Sequence, residues 1–190
     1  IILELEEEYN KKYKNIEQDK IFKEETGFEK YTTHQLDLKY ENEYGGFSKD
    51  GKEYVICVNE NIPSVWCNVL SNENFGTIVT QNLGGFTWYK NSRLNRINKW
   101  SNDTIMDTPS EEIFVQDEKE NKVWKLGKGN LLVSHGFGYS KYEQNKLDIK
   151  QKLKVFVSRN DNIKFNLLKI KNNINYNKKI GFININGINT

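Results

Sequence analysis

Arg93 and Arg96 stand three residues apart in the stretch Asn91-Ser-Arg-Leu-Asn-Arg-Ile-Asn-Lys-Trp-Ser-Asn-Asp103, in a chain that holds three arginines against twenty-five lysines. Alanine is absent, there are two prolines, and asparagines number twenty-six. This composition points to an AT-rich coding bias that replaces arginine by lysine wherever a point charge suffices. Two arginines kept together suggest a task for the planar guanidinium, which forks onto oxygen acceptors, stacks on aromatic rings and donates from fixed positions. Trp88 and Trp100 flank the pair, and Ser101, Asn102 and Asp103 follow it. Arginine, tryptophan and amides are what recognition of a polar, ring-shaped ligand needs. A surface loop with two solvated charges is the competing reading, and on composition alone the two stand level.

Other chemistry has weaker support. His34 and His135 lie far apart, and no Cys-x-x-Cys occurs, so no metal ligand set is expected. Cys57 and Cys67 allow a disulfide, but two buried, reduced thiols of a cytoplasmic protein fit their apolar surroundings better. Carboxylates are plentiful, yet no motif sets two of them up as an acid and base, and no catalytic residue is assigned. The net charge of +2 hides an asymmetry. Residues 141–190 carry eleven bases and three acids, net +8, and residues 1–140 seventeen bases and twenty-three acids, net −6. A basic tail could address nucleic acid. Here Lys150, Lys152 and Lys154 alternate with Ile149, Gln151, Leu153 and Val155, the mark of a strand with one wet face, so a solvated or interdomain face is expected instead.

The elements that must position these residues are mostly strands. Residues 1–30 read as a linker: Ile2, Leu5, Tyr9, Tyr13 and Ile16 recur every three or four positions, an amphipathic helix ended by Thr26-Gly27. The N-terminus has neither the basic start nor the long apolar stretch of a signal peptide and reads as a processed or excised end. No apolar run is long enough for a membrane-spanning helix. From residue 31 the period falls to two, and residues 31–190 form one domain. Strands are expected over 36–40, 54–58, 65–70, 76–81, 85–89, 112–117, 122–126, 131–135, 139–143, 148–157, 164–171 and 179–185. Ser48-Lys-Asp-Gly51 marks a hairpin, and the stretch 171–179 reads as another. So many short strands imply an all-β, antiparallel two-sheet sandwich preceded by the helix. Glycine clusters at 45–46, 84–85 and 136–138 read as tight turns packed by aromatics. Of Trp66, Trp88, Trp100, Trp124 and Tyr139, most are expected to be core. The long segment 90–110 is the expected functional loop.

Eight motifs in order resemble one family. They are Tyr44-Gly-Gly-Phe-Ser-Lys-Asp-Gly-Lys-Glu-Tyr-Val-Ile56, Pro63-Ser-Val-Trp-Cys-Asn68, Asn72-Glu-Asn-Phe-Gly76, Gly84-Gly-Phe-Thr-Trp-Tyr89, Asn91-Ser-Arg-Leu-Asn-Arg96, Trp100-Ser-Asn-Asp103, Glu111-Glu-Ile-Phe-Val-Gln-Asp117 and His135-Gly-Phe-Gly-Tyr-Ser140. The series is similar to the N-terminal β-sandwich of the inverting glycoside phosphorylases of the cellobiose phosphorylase type, formerly glycosyltransferase family 36. The branch acting on β-1,2-glucans, with the C-terminal region of cyclic β-1,2-glucan synthases, is closer. Cys67, and Asn98-Lys99 before Trp100, depart from the family pattern.

The resemblance implies a supersandwich of galactose mutarotase type that serves, through a helical linker, an (α/α) barrel carrying the catalytic acid and the phosphate site. It thus implies an accessory domain of a β-glucan-acting phosphorylase or transferase, inactive alone. No cofactor is implied beyond inorganic phosphate as co-substrate. The implied partners are a β-glucan oligosaccharide, the barrel and a second copy in a homodimer, with no nucleic acid and no membrane. By the same likeness Arg93, Arg96, Trp100, Asn102 and Asp103 become substrate-binding candidates at the acceptor side, with Arg96 favoured because it lies nearer the polar turn. An autonomous carbohydrate-binding module and a purely structural dimerisation domain are the alternatives.

Overall fold

The computed structural model describes residues 30–58, 62–103, 105 and 107–187. The expected helix over residues 1–25 lies outside them. A 3-10 turn (Thr33–Gln35) precedes the strands, numbered in chain order: β1 (Gly45–Phe47), β2 (Glu53–Val58), β3 (Cys67–Ser71), β4 (Phe75–Thr80), β5 (Gly85–Tyr89), β6 (Glu111–Asp117), β7 (Lys122–Lys125), β8 (Leu131–Gly136), β9 (Tyr139–Lys146), β10 (Ile149–Val157), β11 (Lys164–Asn172) and β12 (Ile180–Asn186). All named pairings are antiparallel. One layer is a six-stranded sheet in the order β1-β2-β8-β9-β10-β11. The facing layer is not the single sheet expected but two three-stranded sheets, β3-β4-β5 and β12-β6-β7.

Alternation of side chains explains the packing. On β10, Ile149, Gln151, Leu153 and Val155 are buried while Lys152 and Lys154 face solvent. The main core joins Ile56, Leu131, Val133, Tyr142, Leu153 and Val155 of the large sheet to Leu70 and Val79 of the β3-β4-β5 sheet. A second cluster sets Val115 and Trp124 of the β12-β6-β7 sheet on Ile149. The two small sheets thus each cover their own part of the large one. Beside the second cluster lies an ion pair: Lys178 Nζ is 2.8 Å from Asp117 Oδ2 and also donates to the Leu147 carbonyl at 3.2 Å. Their side chains are 3% and 0% exposed. Burial opposes ionisation of Asp117, but the Lys178 ammonium and the backbone N–H groups of Glu120 and Lys119 hold its carboxyl below the usual range.

Five further expectations need correction. Residues 36–40 form no strand. Lys39 alone bridges to Phe47, and Tyr40 sits at φ 51° and is 88% exposed, because the chain turns there towards β1. Gly45 and Gly46 are not a turn but part of β1, where glycine permits close approach: a Cβ on Gly45 would lie 2.0 Å from the Val55 carbonyl oxygen. Residues 173–179 close no hairpin, since β11 pairs with β10 and β12 with β6, so this stretch links the two layers. Of the five large aromatics, Trp124 is buried, while Trp66, Trp88, Trp100 and Tyr139 are half-buried at sheet margins. Of the two thiols expected to be buried, Cys57 is buried but Cys67, near the start of β3, is exposed, and both are free. The hairpin at Ser48–Gly51 forms as expected: Gly51 has φ 71°, its N–H donates to the Ser48 carbonyl at 2.8 Å, and the Asp50 carboxylate accepts from Ser48 Oγ at 2.7 Å. No helix among the described residues is long and apolar enough to cross a membrane.

Candidate functional site

The segment between β5 and β6 begins as an ordered turn. The Asn91 side chain accepts from the N–H groups of Arg93 and Leu94 at 2.9 and 2.8 Å, and the Asn91 carbonyl accepts from Asn95 N–H at 3.0 Å. Asn's capacity to bond its own backbone two and three residues on is what makes this turn. The chain then runs back along β5: Tyr89 N–H donates to the Asn95 carbonyl at 3.1 Å, Ile97 N–H to the Thr87 carbonyl at 2.8 Å, and Arg96 pairs with Trp88 across the bridge. Buried Asn98 accepts from Thr87 N–H at 3.2 Å and pins the end of this return.

The return places Arg96 on aromatic rings. Its guanidinium carbon lies 4.9 Å from the ring centres of both Phe86 and Trp100, and its Nε donates to the Ser92 carbonyl at 3.0 Å. Phe86 and Trp100 are themselves in contact, with centroids 4.7 Å apart. The pair of arginines is therefore divided. Arg96 is built into the base of the loop, while Arg93 is exposed on the turn above it.

Past Trp100 the chain returns to β6 through a buried acid. Asp107, at φ 40° and 8% exposed, accepts from Thr80 Oγ1 at 2.6 Å, and Thr80 Oγ1 accepts in turn from Gly84 N–H at 2.8 Å. Burial raises the Asp107 carboxyl above its usual range, against the hydrogen bonds from Thr80 and Asn82. Gly84 has no alternative here, since a Cβ would stand 2.3 Å from Asp107 Oδ1. Asn102 (φ 53°) and Asp103 are exposed on the approach, and Asp103 accepts from Asp107 N–H through its carbonyl at 2.9 Å.

A groove of about 450 Å³ opens between this return and the end of β12, walled by Lys99, Trp100, Ser101, Thr108, Glu112 and Ile185 among others. Such a volume lies in the range of small-ligand sites. Of the five sequence candidates, Trp100 alone lines it; Arg93, Asn102 and Asp103 lie on the exposed loop, and Arg96 touches it through Trp100. Lys99, Thr108 and Glu112 escaped the sequence reading because the groove exists only where the loop meets β12, about eighty residues later in the chain, and no local pattern marks that meeting. Glu112 is paired with Lys125 at 2.5 Å, so the wall offers the hydroxyls of Ser101, Thr108 and Ser110 beside exposed Lys99.

Such a wall can bind and orient a polar ligand. His135 is pushed down to about 4 by burial and contacts Ser140 Oγ at 2.9 Å on the inner face of β8, within the fold and away from the groove wall. No group of three or more His, Cys, Asp or Glu among the described residues is placed to hold a metal ion.

Comparison with known proteins identifies the family. Residues 52–185 match the family model described as glycosyl hydrolase 94, supersandwich domain. The chain is 37% identical over 124 residues to the cyclic beta-(1,2)-glucan synthase NdvB of Rhizobium meliloti (strain 1021), a match covering 60% of this chain and 4% of that protein. It is 28% identical over 138 residues to an N,N'-diacetylchitobiose phosphorylase of Vibrio proteolyticus, covering 68% of this chain and 17% of that enzyme. A third relative, the N,N'-diacetylchitobiose phosphorylase of Vibrio furnissii, is 32% identical over 108 residues, covering 52% and 13%. The matches span less than a fifth of each relative's length. With the family model covering most of the twelve strands, the chain belongs to the glycosyl hydrolase 94 family as its supersandwich domain.

Proposed function

We propose that this domain lines the sugar-binding mouth of a β-glucan-acting phosphorylase or transferase whose chemistry resides in a separate (α/α) barrel. The observation that carries the reading is the groove walled by Trp100, Ser101 and Thr108: one aromatic edge and several neutral hydroxyls suit an uncharged, polyhydroxylated ring. Inverting phosphorolysis requires one carboxylic acid to protonate the leaving oxygen while phosphate attacks the opposite face. Both belong to the barrel in this proposal, with inorganic phosphate as co-substrate and no other cofactor. Exposed Arg93, Asn102 and Asp103 offer donors and acceptors to sugar hydroxyls, Trp100 offers its ring, and Arg96 holds Trp100 in place. A cytoplasmic setting fits the two free thiols, and homodimerisation is part of the same proposal.

A structural reading is favoured for Arg96 by one specific observation, its simultaneous contact with Phe86, Trp100 and the Ser92 carbonyl. Kinetics of the complete enzyme separate the roles. Arg93→Lys lowers kcat/KM for the oligosaccharide about tenfold or more if its fork contacts sugar, since a charge-assisted hydrogen bond is worth about 1.5–3 kcal/mol. Unchanged kinetics in Arg93→Lys and in Trp100→Ala would remove the groove from the substrate path.

A further inference from the structure

The strands β3, β4 and β5 contain no charged residue, in a chain of which 28% is charged. One face of their sheet packs on the core through Leu70 and Val79. By register the opposite face carries Val69, Ile78 and Phe86 in one row and Ser71, Gly76 and Trp88 in the next. An outward face ordinarily holds charge, as Lys152 and Lys154 do on β10. The loop after β5 covers part of this neutral face, with Trp100 and Arg96 against Phe86 and Asp107 against Thr80. The rest is open: Val69 is 55% exposed, Ser71 is exposed and Trp88 is half-buried.

Trp88 is laid down as a platform. A Cβ on Gly76 would stand 2.3 Å from Trp88 Cζ2 and 2.8 Å from each of the neighbouring ring atoms Cε2 and Cη2. Approach to a ring edge would leave the neighbours well behind the nearest atom, whereas a point over the ring stays close to all three. The indole therefore lies over β4 with its underside on the backbone, and glycine at position 76 is what permits the contact. The exposure of Trp88 comes from the side turned away from the sheet.

Phe86 joins this indole to the groove. Its ring centre is 5.5 Å from that of Trp88 and 4.7 Å from that of Trp100, which lines the groove. Arg96, opposite Trp88 across the bridge, stacks on Trp100 and belongs to the same row. Two indoles in a neutral setting suit the apolar faces of successive uncharged sugar rings, and the row leads out of the groove, so its occupant is the chain seated there. On the reading of the groove as a sugar site, we infer that Trp88 is a second, distal subsite, and that an oligosaccharide held at Trp100 runs out over the face formed by Trp88, Ser71 and Val69.

The test uses the 190-residue chain, whose four tryptophans give four indole N–H signals in a 15N-labelled sample, assigned by single Trp→Phe variants. Titration with a linear β-1,2-linked glucose pentasaccharide should shift the Trp88 and Trp100 signals with one shared Kd and leave buried Trp124 in place. The disaccharide should shift Trp100 alone. Trp88→Ala should weaken the pentasaccharide about fivefold and leave the disaccharide unchanged. The titration of the unaltered chain decides the matter even if that variant fails to fold. A Trp88 signal that stays still while Trp100 shifts would overturn the distal subsite and leave the groove reading standing. Trp88 shifting without Trp100 would overturn the continuous path, and no shift of either would overturn both readings. A Trp88 signal that moves with protein concentration instead of oligosaccharide would assign the face to a second copy and overturn the proposal.

Discussion

Replacing Arg96 by lysine should lower stability more than it lowers chemistry. The guanidinium stacks on Phe86 and Trp100 at 4.9 Å from each ring and donates through Nε to the Ser92 carbonyl at 3.0 Å. A cation–π contact at a partly exposed site is worth about 0.5–1 kcal/mol, and a net hydrogen bond about 0.5–1.5 kcal/mol. Two stacking contacts and one bond total about 1.5–3.5 kcal/mol. An ammonium keeps part of the stacking attraction and loses the fixed Nε geometry, so the expected cost of Arg96→Lys is about 1–2 kcal/mol. For a domain of this size that lowers Tm by about 2–8 °C, measured by calorimetry. Arg93→Lys on the exposed turn should shift Tm by less than about 1 °C. In the complete enzyme the two variants should exchange ranks, with Arg93→Lys costing more kcat/KM than Arg96→Lys. If Arg96→Lys leaves Tm unchanged, the stacked arginine does not hold the loop and the division between the two arginines fails.

Three further outcomes follow from named contacts. Lys178→Ala leaves Asp117 buried without its cation and should cost about 3–5 kcal/mol in urea unfolding, whereas the double variant with Asp117→Asn should recover part of that loss. His135 has a folded pKa near 4 against an ordinary value of 6.5, so its contribution is fully present above pH 6.5 and is lost as pH falls towards 4. The loss amounts to about 3 kcal/mol at most, and a His135→Gln variant should show a shallower decline in stability between pH 6.5 and 4.5. The purified chain should release no glucose 1-phosphate from any β-glucoside, and activity above blank that a point change in this chain abolishes would contradict that expectation.

The strands were legible because their cause is local. Alternation of the kind seen at Ile149, Gln151, Leu153 and Val155 against Lys150, Lys152 and Lys154 is imposed by the pleat and needs no knowledge of the partner strand. The Ser48–Gly51 turn was legible for the same reason, since its bonds join residues two or three apart. Features set by distant segments were not. Alternation at Leu36 and Leu38 could not reveal that the strand lacks a partner beyond Lys39, nor could Gly45-Gly46 reveal that the Val55 carbonyl approaches it. The division of the second layer into two sheets depends on β12 crossing to β6 rather than turning back on β11.

The site divides along the same line. The retained arginines and Trp100 drew attention, from composition, to the segment of which Trp100 lines the groove. Asp107, whose bond to Thr80 spans twenty-seven residues, and the groove wall at Ile185 had no local signature. Lys178 looked like one more tail lysine, although its partner Asp117 lies sixty-one residues earlier.

The most direct test of the central claim, that this domain meets substrate beside Trp100 while chemistry happens elsewhere, is the steady-state kinetics of Trp100→Ala in the complete enzyme, with oligosaccharide and phosphate varied separately. The account predicts an oligosaccharide KM raised about tenfold, with the phosphate KM unchanged and kcat altered less than about threefold, the pattern of lost binding rather than lost chemistry. An unchanged oligosaccharide KM, or a collapse of kcat with KM intact, would contradict it.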